Sequence, residues 1–131
     1  MIIELQMLVG SAALLFVLTI IQAQAGVAKH GLEAMAGSRE KMEPPAGFAG
    51  RAHRAVVNHI EGLAIFAPLL LAAVISHKTN SWTALGAQGY FYGRVAHAGL
   101  YLFGVPWLRS VAYIVCVVGG ALVFLTDVGV L

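Results

Sequence analysis

Four apolar stretches, separated by more polar segments, limit what this chain can fold into. They cover residues 5–27, 63–75, 82–103 and 109–125. A membrane-spanning helix needs about 20 mainly apolar residues, so the second stretch is long enough only if its helix begins upstream, near Arg51. The pattern predicts an integral membrane protein with one domain over residues 1–131. The four expected helices are at residues 5–27, 51–76, 82–103 and 109–127.

Scarcity of charge supports the same interpretation. Charged residues are 11% of the chain and hydrophobic residues 60%, whereas soluble domains carry about 25% charged residues. A soluble domain of this size has a large surface relative to its core and needs polar side chains to cover it. The composition therefore excludes an ordinary soluble domain, a disordered chain and a nucleic-acid-binding protein. The expected surroundings are a lipid bilayer.

The first apolar stretch is predicted to be a spanning helix and not a signal peptide. It opens with Glu4 and has no basic region before it. Its apolar run also exceeds the roughly 7–15 residues typical of a signal peptide. The longest polar segment, residues 29–50, contains Pro44 and Pro45. It is predicted to be a loop, because prolines interrupt a helix.

The distribution of basic residues predicts the orientation in the membrane. Basic residues concentrate in cytoplasmic loops. The third connection is followed by Arg109, and the opposite side has only Lys78. The first and third connections are therefore expected to be cytoplasmic, with both termini facing the periplasm or, in a eukaryote, an organelle lumen. The first loop and its flank carry Lys29, Arg39, Lys41, Arg51 and Arg54.

Short connections make neighbouring helices antiparallel. The expected fold is therefore an all-α, up-down transmembrane four-helix bundle. Small residues on the third and fourth helices should let their backbones approach closely. These are Gly86, Gly89, Gly93, Gly119 and Gly120.

Polar residues recur at helical spacing within the apolar helices. At about 100° per residue, those of each helix fall on one face. The stripe of the second helix consists of Arg51, Arg54, Asn58 and Glu61, and that of the third of Tyr90, Arg94, His97 and Tyr101. The fourth helix adds Arg109, Ser110 and Tyr113.

Arginines outnumber carboxylates on these stripes by four to one, and this surplus predicts an anionic ligand. Guanidinium groups pair bidentately with carboxylates and also lower the pKa of a nearby thiol. Two structural alternatives stay open. Glu61 pairs with Arg54 or Arg94 to tie helices together, or arginines near helix ends extend to the lipid headgroups.

The polar stripes resemble those of the MAPEG family, the membrane-associated proteins in eicosanoid and glutathione metabolism. The block Arg51-Ala-His-Arg54-Ala-Val-Val-Asn58-His-Ile-Glu61 resembles the family signature on its second helix. Gly93-Arg94-Val-Ala-His97-Ala-Gly-Leu-Tyr101 and Arg109-Ser110-Val-Ala-Tyr113 resemble the microsomal prostaglandin E synthase and glutathione transferase branches. Ala36-Gly37-Ser38-Arg39-Glu40 and Phe48-Ala-Gly-Arg51 look like the bacterial members, which implies a bacterial inner membrane.

The resemblance implies a homotrimer that binds glutathione between neighbouring subunits and acts on a small lipophilic substrate. Arg109 matches the arginine that stabilises the glutathione thiolate, and Ser110 adjoins it; both are expected to be catalytic. The residues expected to bind the cofactor are Arg54, Asn58, Glu61, Arg94, His97, Tyr101, Tyr113 and Arg51. No metal site is expected.

Three other functions are compatible with the sequence. Val56 and Val57 stand where better-known family enzymes have Gln, His or Arg, which favours a non-catalytic trimer that binds lipid or an anion. A haem protein would use His53, His59 or His97, although His59 lies about 100° from the polar stripe of its helix. A cation-coupled exporter would use Glu61.

Overall fold

A computed structural model describes residues 1–40, 42–43 and 46–131 of the chain. Within these residues the fold is entirely helical, which confirms the predicted all-α membrane fold class. Lys41, Pro44 and Pro45, which we assigned to the first loop, lie outside the described residues. The helices are α1 (Ile3–His30), α2 (Leu32–Ala36), α3 (Gly47–Ile75), α4 (Ser81–Leu102) and α5 (Pro106–Asp127).

Three of the helix ends follow ordinary capping rules. The α1 helix ends at Gly31, whose positive φ of 89° suits glycine and whose N–H donates to the carbonyl of Val27. Asn80 and Thr83 form a capping box that begins α4. Pro106 occupies the first turn of α5, where its missing N–H costs nothing.

The segment between the first two long helices is more helical than the sequence analysis predicted. It contains the short helix α2, and α3 begins at Gly47, one turn before the expected start near Arg51. The α3 helix also continues through Pro68 to Ile75. Residues 29–50 were predicted to be a loop because they are polar, but polarity does not prevent a single helical turn from forming.

The described helices fit an integral membrane protein. By length and composition, α1, α3 and α5 are apolar enough to cross a bilayer. The α4 helix has 22 residues and carries Arg94 and His97. It contacts all three of the other long helices, so Arg94 and His97 are buried within the protein.

Glycines allow α4 and α5 to pack with their backbones close together. A Cβ placed on Gly86 would lie 2.6 Å from the carbonyl oxygen of Gly119, and one placed on Gly119 would lie 2.5 Å from that of Gly86. Further along, a Cβ on Gly93 would lie 2.8 Å from the Sγ of Cys116. These approaches set the antiparallel register of the two helices.

A buried carboxylate ties α1 to α4 at the end of the bundle where α1 begins. The hydroxyl of Thr83 lies 2.7 Å from Oε1 of Glu4, and both residues are buried. A buried polar group needs such a partner. In the sequence Glu4 is only an acidic residue at the start of the first apolar stretch, and nothing there indicates its burial.

We predict that Gly119→Ala destabilises the protein, because the added methyl group meets backbone atoms that cannot move aside. Overpacking of this kind costs about 1–3 kcal/mol. Thermal unfolding in detergent, followed by circular dichroism, measures the effect. Gly120→Ala is the matched control, since a Cβ there meets nothing within 4 Å. An equal loss of stability in both variants would contradict the close approach of α4 and α5.

Candidate functional site

Six of the predicted site residues come together around one polar pocket. This cavity of about 350 Å³ lies between α3, α4 and α5. It is formed where the end of α4 and the beginning of α5 lie next to the first half of α3. Its lining consists of Asn58, His97, Tyr101, Arg109, Ser110, Tyr113 and Ile114.

Arg109 is held against the pocket wall by an aromatic ring. Its guanidinium carbon lies 4.5 Å from the centroid of the Tyr101 ring. Such cation–π stacking uses the face of the guanidinium group and leaves the N–H groups at its edge free to donate. The next residue, Ser110, is exposed and donates from its hydroxyl to the carbonyl of Pro106 at 3.3 Å. The pocket therefore holds a fixed cation beside a hydroxyl group.

Aromatic side chains form the wall between α4 and α5. His97 is buried, and its ring centroid lies 5.5 Å from that of Tyr101 and 6.3 Å from that of Tyr113. Tyr101 is half-buried and Tyr113 is exposed on its outer side. These tilted contacts give the pocket a stiff wall, because each ring restricts the rotation of its neighbours.

Arg94 lies behind the pocket and orients Asn58. It is 2% exposed, and its Nη1 donates to Oδ1 of Asn58 at 2.8 Å. Arginine can only donate hydrogen bonds, so the oxygen of the Asn58 amide must face Arg94. The amide NH₂ of Asn58 is then left for the pocket. Arg94 thus affects the pocket through Asn58 and does not line it.

His59 is a member of this network that the sequence analysis missed. We placed it away from the polar stripe of its helix, yet its Nδ1 lies 3.3 Å from Nε of Arg94. Its Nε2 lies 2.8 Å from the carbonyl oxygen of Ser11 in α1. Both ring nitrogens are occupied, which leaves none for a haem iron. The available signal was its spacing with Ala52, Ala55 and Phe66, the buried face of α3.

The other predicted residues of α3 lie outside the pocket. Arg54 and Glu61 are exposed, whereas the hydrogen bonds of Arg94 go to Asn58 and His59. The alternative in which Glu61 pairs with Arg94 is therefore not seen in these hydrogen bonds. Arg51 is half-buried, and its Nε donates to the carbonyl of Leu102 at 3.0 Å. This hydrogen bond gives a partner to a backbone carbonyl at the C-terminal end of α4.

Val56 and Val57, which favoured the non-catalytic alternative, have different environments. Val56 is buried and belongs to a core cluster with Leu18, Ala55 and Ala98. A polar side chain at position 56 would therefore enter the core and not the pocket. Val57 is exposed on the outer face of α3. Of the two valines, only Val57 could therefore affect ligand binding directly.

An apolar groove adjoins the polar pocket. It encloses about 480 Å³ between α3 and α5, with α4 as its floor. Tyr113 lines both cavities. The ring of Tyr90 stacks on Phe66 with centroids 3.8 Å apart, and its buried hydroxyl has no hydrogen-bond partner among the described residues. The apolar wall is formed chiefly by Ile65, Phe66, Leu69, Val117, Ala121 and Phe124.

Comparison with known families identifies the family of the chain. The model of the MAPEG family matches residues 5–126, which is nearly the whole chain. The chain therefore belongs to the MAPEG family, a group of membrane proteins associated with glutathione-dependent transfer. No curated protein and no solved structure gives a significant match.

Proposed function

We propose that this protein is a glutathione-dependent membrane transferase or peroxidase that acts on lipophilic electrophiles. One observation carries the proposal: Arg109 is stacked on Tyr101 in a polar pocket that shares Tyr113 with an apolar groove. The pocket suits a polar anion and the groove suits an apolar compound. Two such sites side by side are what a reaction between glutathione and a lipophile requires.

Glutathione is assigned to the polar pocket. Asn58 and Tyr101 would hold its polar groups, with His97 and Tyr113 as the wall beside them. Arg109 would lie at the sulfur, because a fixed cation stabilises a thiolate and lowers the pKa of the thiol. Ser110 would turn its exposed hydroxyl to the same sulfur.

The reaction needs no nucleophile from the protein, since glutathione supplies the sulfur. What the chain supplies is a positioned positive charge and a site where the two reactants meet. Preorganised charges of this kind are usually the largest contribution to catalysis. With a chlorinated aromatic acceptor, the thiolate displaces chloride and forms a thioether.

A homotrimer would complete the pocket. Arg54 and Glu61 are exposed on α3 next to Asn58, so a neighbouring subunit that covers this face would bring them to the bound glutathione. Arg51 would contribute indirectly by fixing the end of α4. We further propose that the protein lies in a bacterial inner membrane, with the connection before α5 on the cytoplasmic side.

We predict that Arg109→Ala removes the stabilised thiolate. Free glutathione is only a few per cent thiolate at neutral pH. The ultraviolet absorbance of the bound thiolate should therefore fall to near the level of free glutathione. The rate of conjugation to a chlorinated nitroaromatic acceptor should fall about 100-fold or more, as when one charge-stabilising donor is removed.

Two further variants make this experiment decisive. Arg109→Lys keeps the charge but loses the planar group that stacks on Tyr101, so it should retain part of the thiolate signal. Arg39→Ala removes an exposed arginine of the first loop and should retain all of it. If Arg109→Ala kept both its absorbance and its rate, the proposed role of Arg109 would be wrong.

We predict that Asn58→Asp weakens glutathione binding without unfolding the protein. The aspartate keeps an oxygen facing Arg94, but replaces the NH₂ group facing the pocket by a second oxygen. The pocket then loses a donor and gains a negative charge. Loss of a hydrogen bond to a charged group corresponds to about a tenfold or greater rise in the dissociation constant. Calorimetric titration measures it, and an unchanged affinity would contradict the amide orientation.

We predict that filling the groove affects the lipophilic substrate alone. Gly120 lines the groove, and a Cβ there meets nothing within 4 Å. Gly120→Leu should raise the KM for the lipophilic acceptor several-fold and leave the KM for glutathione unchanged, whereas Gly120→Ala should have a smaller effect. Gly99→Leu adds the same bulk at another open position and should change neither. If Gly120→Leu raised only the KM for glutathione, the lipophilic acceptor would have to bind outside the groove.

A further inference from the structure

His59 is buried at the junction of three helices. It belongs to α3, is 0% exposed, and has one ring nitrogen directed to α1 and the other to α4. The exposed residues Arg54 and Glu61 lie on other sides of the same helix. A histidine in such a place is either a link between helices or part of the site. Its two contacts make it possible to separate these roles.

The partners of His59 determine the direction of both of its hydrogen bonds. Arginine only donates, so Nδ1 of His59 must accept from Nε of Arg94. A carbonyl oxygen only accepts, so Nε2 of His59 must carry the hydrogen that is donated to Ser11. His59 is therefore neutral and is held in one tautomer by two different neighbours.

The same network ends in the polar pocket. Nε of Arg94 is held by His59, and Nη1 donates to Oδ1 of Asn58. The NH₂ group of Asn58 remains for the pocket, which Asn58 lines. A series of hydrogen bonds thus runs from the backbone of α1, through His59 and Arg94, to a donor in the pocket.

The guanidinium group of Arg94 borders the apolar groove while it contacts Asn58, so the groove gives it room to turn away. A Cβ built on Gly62 would lie 3.0 Å from the Tyr90 hydroxyl and 3.5 Å from Nη1 of Arg94, so both groups adjoin the same point of the apolar groove. Arginine is a long side chain with much rotational freedom. A single bond to Asn58 would not fix it, and the bond from Nε to His59 supplies the second constraint.

We propose that His59 is a positioning residue for glutathione, acting through Arg94 on the amide of Asn58. The inference rests on the proposed function and specifies it. Because Asn58 presents a donor, the part of glutathione placed against it is an acceptor, a carboxylate or a peptide carbonyl, and not its ammonium group.

Two substitutions separate the two nitrogens of His59. In His59→Asn the amide oxygen takes the place of Nδ1 and still accepts from Arg94, but the side chain no longer reaches Ser11. In His59→Gln the amide nitrogen takes the place of Nε2 and still donates to Ser11, but the acceptor for Arg94 is lost. His53→Gln, at an exposed position of the same helix, is the control.

The variants are compared by the KM for glutathione, by kcat and by thermal unfolding in detergent. His59→Gln should raise the KM for glutathione about tenfold, equivalent to about 1.4 kcal/mol, with its unfolding temperature kept. His59→Asn should lower the unfolding temperature and keep the KM within about twofold of the wild-type value. His53→Gln should match the wild type in all three measurements.

A purely structural role predicts the opposite pattern. If both variants lowered the unfolding temperature and neither raised the KM, His59 would be only a link between helices and the proposal would be overturned. Equal increases in KM would also overturn it. Loss of the acceptor for Arg94 would then affect glutathione binding no more than loss of the donor to Ser11.

Nuclear magnetic resonance tests the network independently of glutathione binding. With ¹⁵N-labelled protein, the side-chain amide of Asn58 should shift in His59→Gln and stay in place in His59→Asn. An unchanged amide in both variants overturns the inference. If wild-type protein fails to bind glutathione while the Asn58 amide responds as expected, the proposed function is wrong and the positioning of Asn58 by His59 still holds.

Discussion

The burial of Arg94 is the constraint on which the site depends. A guanidinium group removed from water must find acceptors within the protein, because an unpartnered buried charge costs several kcal/mol. Here the acceptors that it reaches are neutral, an amide and an imidazole on neighbouring positions of α3. These two groups accept hydrogen bonds from Arg94 but do not neutralise its charge. The positive charge therefore remains to act on the pocket beyond Asn58.

The glycines of α4 and α5 determine where the second arginine lies. Contact between Gly86 and Gly119, and between Gly93 and Cys116, fixes the two helices in antiparallel register. Continued toward the short connection, this register places Arg109 over the ring of Tyr101. A larger residue at Gly119 would separate the helices and remove that stacking. The geometry of the pocket is thus a consequence of backbone packing about one to three turns away from it.

Much of this could be predicted from the sequence. The apolar stretches indicated the membrane helices, and helical spacing indicated the residues of α4 that are buried together with Arg94 and His97. Spacing gives the angle between residues on one helix, however, and not the rotation of that helix against its neighbours. For this reason the stripe of α3 was expected to face inward, whereas its Arg54 and Glu61 are exposed.

His59 also shows that helical spacing does not give the contacts between helices. A polar residue among small and apolar positions looks isolated on a helical wheel, and only the neighbouring helices show that it has partners. Ser11 could not be identified as one of them, because it contributes a backbone carbonyl and every residue has one. The residues between α4 and α5 were easier to predict, since the connection of these two helices is short and leaves little choice of register.

The gap between α3 and α5 changes from polar to apolar along its length. This change gives physical support to a two-substrate reaction. At one end it is bordered by Asn58 and Arg109, and at the other by Leu69 and Phe124. Tyr113 stands between the two parts with its ring available to both. A polar thiol entering from water and an apolar compound entering from the bilayer would meet at this residue. Neither reactant would then have to leave its own medium completely before the sulfur comes within reach of the electrophile.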